Sequence, residues 1–133
     1  IRQWSRPLPR EIFDRRQALG ENFGLFADGR PECVVALVRG IPEHWHAEVP
    51  RHDAMWLATL ACRRHGQGLG RTTVASALSW LRDASEEEVY LDCKRGALDL
   101  YYAEIGFTRV VDKILVFGEK RIDATLMRAD LSA

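Results

Sequence analysis

The chain lacks most of the features that mark a specialised class. It has no net charge, because nineteen basic and nineteen acidic residues cancel over 133 positions. Without a one-signed field, neither nucleic acid nor an anionic membrane surface is expected as a partner. No apolar run approaches the roughly 18 residues that span a bilayer, and no stretch reads as a signal peptide. Cysteine is scarce. Cys33, Cys62 and Cys93 stand far apart, and an odd count on strand-like segments predicts reduced thiols and a cytoplasmic setting. His44-Trp45-His46 has no third ligand at a matching spacing, so no metal is expected. There are no repeats and no low-complexity segment. The first residue is Ile1 rather than Met, so an upstream piece completing the first strand is expected. What remains is a composition ordinary for a globular protein and a length suited to one domain, residues 1–133.

The most informative stretch runs from residue 53 to residue 81. An apolar run, Met55 to Cys62, stops at Arg63, Arg64 and His65; Gly66, Gly68 and Gly70 follow at alternate positions, and then a helical pattern. A buried strand that feeds a glycine loop opening a helix can turn several backbone N–H groups toward one point. The helix start adds a partial positive charge there, which is a device for gripping phosphate. Arg71 in the first helical turn is disfavoured by about 0.3–1 kcal/mol unless an anion sits nearby. Two common phosphate binders are excluded by spacing. A P-loop would need glycine at His65 and lysine at Arg71, and a dinucleotide fingerprint would need its third glycine at Arg71.

Periodicity divides the rest. Pro9 opens a helix through residue 19. Strands at 22–27 and 32–39 flank a hairpin turn at Asp28-Gly29, and a loop covers 40–51. Residues 54–62 do not alternate, which predicts a central strand buried on both faces. A helix over 69–82 places Val74, Leu78 and Leu81 on one side. A short strand at 89–93 follows, in which Cys93 reads as a buried thiol rather than a nucleophile. A helix over 97–105 carries Leu98, Tyr102 and Ile105 on one stripe and ends at Gly106. Strands at 108–117 and 121–128 close the chain around Gly118-Glu119. The fold class is α/β (α+β), a mixed sheet with helices on its faces. The exposed edges of the last hairpin offer a place for a second copy, and so for a homodimer.

His65-Gly66-Gln67-Gly68-Leu69-Gly70 resembles the acetyl-CoA loop of the GNAT family of N-acetyltransferases, Gln/Arg-x-x-Gly-x-Gly/Ala, with His65 in place of the usual first residue. Tyr102-Ala103-Glu104-Ile105-Gly106-Phe107 matches the family's second signature, Tyr-x-x-x-Gly-Phe. The Asn-x-x-Ala that usually precedes it is replaced at Arg95 and Leu98, and only one helix, not two, fits before residue 21. The resemblance covers about residues 21 to 130 and implies a mostly antiparallel mixed sheet with helices on both faces and a splayed central strand pair. It further implies acetyl-CoA as co-substrate. Backbone N–H groups from about Gln67 through Gly68, Leu69, Gly70 and Arg71 to Thr72 would hold the pyrophosphate, with His65 and Gly66 as further cofactor-binding residues of the loop. The strand edge at Leu60, Ala61 and Cys62 would pair with the pantetheine arm, an N–H there stabilising the carbonyl oxygen. Tyr102 would be the general acid that protonates the departing thiolate.

The general base has no such guide. The apolar run itself holds no carboxylate and no histidine, so the candidates lie outside it: His52 and Asp53 nearest, then Glu43, His44, His46 and Glu48, with Trp45 as a residue that could line an acceptor pocket. Each is also what an exposed loop ordinarily carries. Asp92 and Cys93 on the short strand are common strand residues. The implied activity is transfer of an acetyl group to a primary amine, on a small molecule or a peptide. The alternative is a CoA-binding sensor or interaction module with the same fold and no transfer.

Overall fold

A computed structural model describes residues 22–27, 30–62 and 68–132. Within them the elements are β1 (Asn22–Ala27), β2 (Arg30–Arg39), β3 (Met55–Cys62), α1 (Leu69–Asp83), β4 (Glu88–Lys94), α2 (Ala97–Ile105), β5 (Thr108–Phe117) and β6 (Lys120–Asp130). One 3-10 turn, Glu43–Trp45, interrupts the segment between β2 and β3. From residue 22 onward this is the order that periodicity predicts. The helix expected over 9–19, the first strand expected before it and the Asp28-Gly29 turn lie outside the described residues.

The strands form one sheet in the order β1-β2-β3-β4-β6-β5. Every neighbouring pair is antiparallel except β3 and β4, which are parallel because α1 carries the chain back across the sheet between them. That parallel pairing is brief. Only Met55↔Val89 and Trp56↔Tyr90 are partners, although β3 has 8 residues and β4 has 7. Beyond them β3 stays with β2 and β4 stays with β6. The sheet therefore opens into a V toward the C-terminal ends of both strands.

Along β3 the register with β2 shifts between Val35↔Leu60 and Leu37↔Leu57. Residues 58 and 59 stand opposite the single Ala36, which is a β-bulge. The bulge explains why the run does not alternate. Leu57 and Leu60, three apart, both join the cluster under the helices, while Trp56 joins the opposite one. The first cluster gathers Val74, Leu78 and Leu81 of α1 with Tyr102 of α2, Phe107 and Leu91, so both described helices pack on one face. The other face is closed by the β2–β3 connection, whose Ile41, Trp45 and Val49 pack on Trp56, Tyr90, Leu115 and Leu126. α2 starts where Asp99 accepts a hydrogen bond from the Gly96 N–H at 2.9 Å and ion-pairs with Arg109 at 2.6 Å. Edge strand β5 exposes Val110, Ile114 and Val116. Among the described residues no helix is long and apolar enough to cross a membrane.

The thiols differ from expectation. Antiparallel register sets Cys33 opposite Cys62, and the two are joined as a disulfide across 29 positions of sequence. The expectation of three reduced cysteines is thereby corrected, and the thiol argument for a cytoplasmic setting goes with it. Cys93 stays free and buried, and burial, then the carboxylates of Asp99 and Asp92, push its thiol up to about 12. Alkylation of the denatured, unreduced protein should label Cys93 alone, and alkylation after reduction should label all three. Three labels before reduction would mean that Cys33 and Cys62 are not bonded. In the native protein Cys93 should resist labelling, because a buried neutral thiol is a poor nucleophile. Asp99→Ala should lower the unfolding free energy by about 1–2 kcal/mol, measured by urea denaturation, since the start of α2 loses the acceptor for its Gly96 N–H and Arg109 loses its buried partner.

Candidate functional site at the strand fork

Gly68 begins the site. It is the N-cap of α1 with φ 70° and ψ 9°, a left-handed conformation that costs an ordinary L-residue roughly 1–2 kcal/mol. The first N–H groups of a helix have no partner inside it. The Thr72 N–H already donates to the Gly68 carbonyl at 3.1 Å, so among the described loop residues Leu69, Gly70 and Arg71 carry the donors left for a ligand. His65, Gly66 and Gln67, with Arg63 and Arg64, lie outside the described residues. The Arg71 guanidinium donates to Glu104 at the end of α2. Both side chains are about half exposed or more, a setting in which such pairs are worth about 0–1 kcal/mol. A phosphate can displace that partner.

Gly70 is needed for closeness rather than for a special φ. It is buried against the end of β3, and a Cβ there would stand 2.7 Å from the Tyr101 Oη, 3.4 Å from Leu60 and 3.5 Å from the Cys62 sulfur. One point thus collects the tip of Tyr101, the last residues of β3 and the first turn of α1. The Tyr101 hydroxyl is buried and has no hydrogen-bond partner among the described residues. Its neighbour Tyr102, which the sequence motif singles out, is 0% exposed and packs edge-on to Phe107 in the core. The two tyrosine rings meet at 5.2 Å.

The candidates for a base separate. β3 and β4 are paired at their N-terminal ends, and His52 and Asp53 precede β3. They sit before the closed end of the V, and within β3 itself Met55 and Leu60 are already about 16 Å apart at roughly 3.3 Å per residue. The His52 ring nitrogen Nε2 bonds to the His46 carbonyl at 3.0 Å, and Asp53 faces Arg51 on the surface. Both are surface residues at the start of β3 rather than beside its free C-terminal end. Trp45 is wholly buried and so does not itself line a pocket. Its indole N–H donates to Asp92 Oδ2 at 2.8 Å. That same oxygen lies 3.5 Å from His44 Nε2. Asp92 is two residues beyond Tyr90 on β4, just past the last strand pair, on the face away from the helices. The sequence reads this carboxylate as an ordinary strand residue. No local signal marks it, because its partner comes from 47 positions away. Among the described residues no three His, Cys, Asp or Glu side chains converge as a metal site would require.

No protein-family model and no curated protein sequence matches the chain. Solved structures do match its fold. The ribosomal-protein-S18-alanine N-acetyltransferase of Escherichia coli superposes with a TM-score of 0.70 at 18% identity, covering 97% of this chain and 81% of that one. Naa20 of Chaetomium thermophilum, solved with a bisubstrate analogue, gives 0.68 at 11% identity, with 94% and 74% covered. A Bacillus subtilis acetyltransferase in complex with CoA gives 0.60 at 12% identity, with 91% and 83% covered. An acetyltransferase of the GNAT family from Streptococcus pneumoniae gives 0.63 at 18% identity, with 90% and 73% covered. The fold of this chain is the GNAT acetyltransferase fold.

Burial pushes the Tyr101 phenol above its ordinary value, with Arg71 pulling weakly the other way. The folded state therefore favours the neutral phenol, and this contribution is lost as pH climbs beyond about 10. Gly70→Ala should push the ring outward and return its titration toward that ordinary value. The alkaline absorbance titration of Gly70→Ala, minus that of the double variant with Tyr101→Phe, reads the shift. An unmoved titration would show that the phenol is not held against Gly70.

Proposed function

We propose that this chain is an acetyl-CoA-dependent N-acetyltransferase that joins an acetyl group to a primary amine. The observation that carries the reading is the fork: two strands that part after two residue pairs, one of them running straight toward a helix opened by Gly68. The residues present fit the co-substrate. N–H groups of Leu69, Gly70 and Arg71, with Arg71's side chain, suit the pyrophosphate, and His65, Gly66, Gln67 and Thr72 complete the proposed loop. The β3 edge at Leu60, Ala61 and Cys62, freed from β4, suits the amide-bearing pantetheine arm, and an N–H on that edge would stabilise the carbonyl oxygen as it gains charge.

The bound thioester supplies an activated acetyl group and a thiolate leaving group. This chain's part is to orient it between the strands and to give the sulfur a proton. The motif assigns that proton to Tyr102. A second reading has a geometric reason: the unpartnered Tyr101 hydroxyl stands at the end of β3 beside Gly70. The acceptor is an amine of a small molecule or a peptide. Two structures of like fold, the S18-alanine enzyme and Naa20 with its bisubstrate analogue, favour testing free peptide N-termini first. The apolar edge of β5 is where a second copy would pair.

Titration calorimetry with acetyl-CoA, followed by a thiol-release assay over peptides with free N-termini, amino sugars and polyamines, tests the proposal. Binding with turnover of at least one amine is expected. Binding without turnover on any of them would make the chain a CoA-binding module instead. Gly68→Asp should abolish binding by setting a carboxylate among the phosphates. Tyr102→Phe should leave affinity intact and slow turnover by about 10²–10⁴-fold. The same loss in Tyr101→Phe instead would move the acid one residue upstream.

A further inference from the structure

The transfer reaction needs a group to take the proton that leaves the amine, and β3 has none. The structure assigns that role to His44, with Asp92 as the residue that positions it. The inference rests on the transferase reading above.

Asp92 is a carboxylate at 8% exposure, and a buried carboxylate is costly unless hydrogen-bonded. It is held by the indole of the fully buried Trp45 at 2.8 Å. An aspartate fixed so tightly behind a half-exposed imidazole is more than the packing of that face requires. His44 presents Nε2 to Asp92 Oδ2 at 3.5 Å, its own side chain 36% exposed. A carboxylate facing Nε2 selects the tautomer with hydrogen on that nitrogen, which leaves the lone pair on Nδ1.

The turn that carries His44 is anchored from several sides. Phe117 of β5 meets its ring edge-on at 5.6 Å. Lys113 of β5 donates to the His44 carbonyl at 2.6 Å and to Glu48 at 2.7 Å, and its ammonium lies 4.5 Å from the Trp45 ring centre. Lys113 is thus paired with Glu48, and Asp92 is the charged group that faces the imidazole. The pair sits just beyond Trp56↔Tyr90, where the strands part, on the face opposite α1. The pyrophosphate grip lies at the start of α1. A thioester entering from that end leaves the other face of the V for the amine, and His44 stands on that face.

The step balances. As the amine nitrogen bonds to the thioester carbonyl carbon, the C–S bond breaks. The proton leaving nitrogen goes to Nδ1 of His44, and a tyrosine hydroxyl gives its proton to sulfur. Solvent then returns both residues to their starting states.

The test uses the whole chain, acetyl-CoA, and as acceptor probes an alanyl peptide with a free N-terminus, glucosamine and spermidine. His44→Gln should keep the wild-type melting curve and acetyl-CoA affinity, lower kcat/KM for the amine by about 10²–10³-fold, and abolish the acid limb of the pH–rate profile. His44→Ala should regain activity several-fold with added imidazole. Asp92→Asn, which still offers Trp45 an acceptor, should move the position of the acid limb while leaving acetyl-CoA binding unchanged, as a purely structural role would not. Wild-type turnover that His44→Gln leaves unchanged, with the same pH profile, overturns the assignment of His44 alone. Failure of the wild-type chain to turn over any of the three amines overturns the transferase reading and this inference with it.

Discussion

Two strand pairs decide what this molecule can do. Met55↔Val89 and Trp56↔Tyr90 hold β3 to β4, and past them each strand is committed to a different neighbour. Had the parallel ladder continued, the hydrogen-bonding edges at Leu60 to Cys62 would be spent on β4, and the sheet would be a closed floor. Because it stops, backbone donors and acceptors near the centre of the fold are left for a ligand. That arrangement is tolerable only where something replaces the missing ladder, since unpaired buried backbone groups are costly. On the transferase reading proposed above, an amide-bearing chain such as pantetheine would fill that place.

The fork also sorts the two faces. α1 and α2 cover one with Val74, Leu78, Leu81 and Tyr102, and the glycine-opened end of α1, where the proposed reading puts the pyrophosphate, lies on that side. The other face is covered by the β2–β3 connection rather than by a described helix. Its Trp45 is buried completely, so the loop is as firmly seated as a helix would be. A reactive side chain carried on such a loop is held in place, which a catalytic group requires.

Most of the architecture from residue 22 could be read in one dimension, because its signals are local. Val74, Leu78 and Leu81 announce α1, Gly106 ends α2, and Gly118 turns the last hairpin with φ 63°. The apolar run of β3 was correctly expected to be buried on both sides, but the bulge at 58–59 that sets Leu57 and Leu60 on one face depends on Ala36 across the sheet. Register is likewise what joins Cys33 to Cys62 and what lets Trp45 reach Asp92. Each links residues at least 29 positions apart, and no local pattern encodes such a distance. The tyrosine pair is a finer case. Helix phase and the Gly-Phe offset both select Tyr102, and both describe which side of α2 faces the core, so they also select the residue most fully buried. Among the described residues the hydroxyl without a partner belongs to Tyr101, one position and about 100° round the helix from the core-facing side.

Physical economy connects these details. A carboxylate of Asp92's burial could have been replaced by an aliphatic side chain with little loss, since burying a charge is rarely a net stabiliser. Instead the chain commits its Trp45 indole N–H to Asp92, and stations Lys113 over the same indole. Cation–π contact of this kind is worth about 0.5–2 kcal/mol, enough to fix the turn though not to repay the desolvated charge. Among the described residues the one other group beside Asp92 is His44, whose side chain is partly exposed. Stability alone gives no reason for that expense. A proton that must be taken up on the acceptor side does.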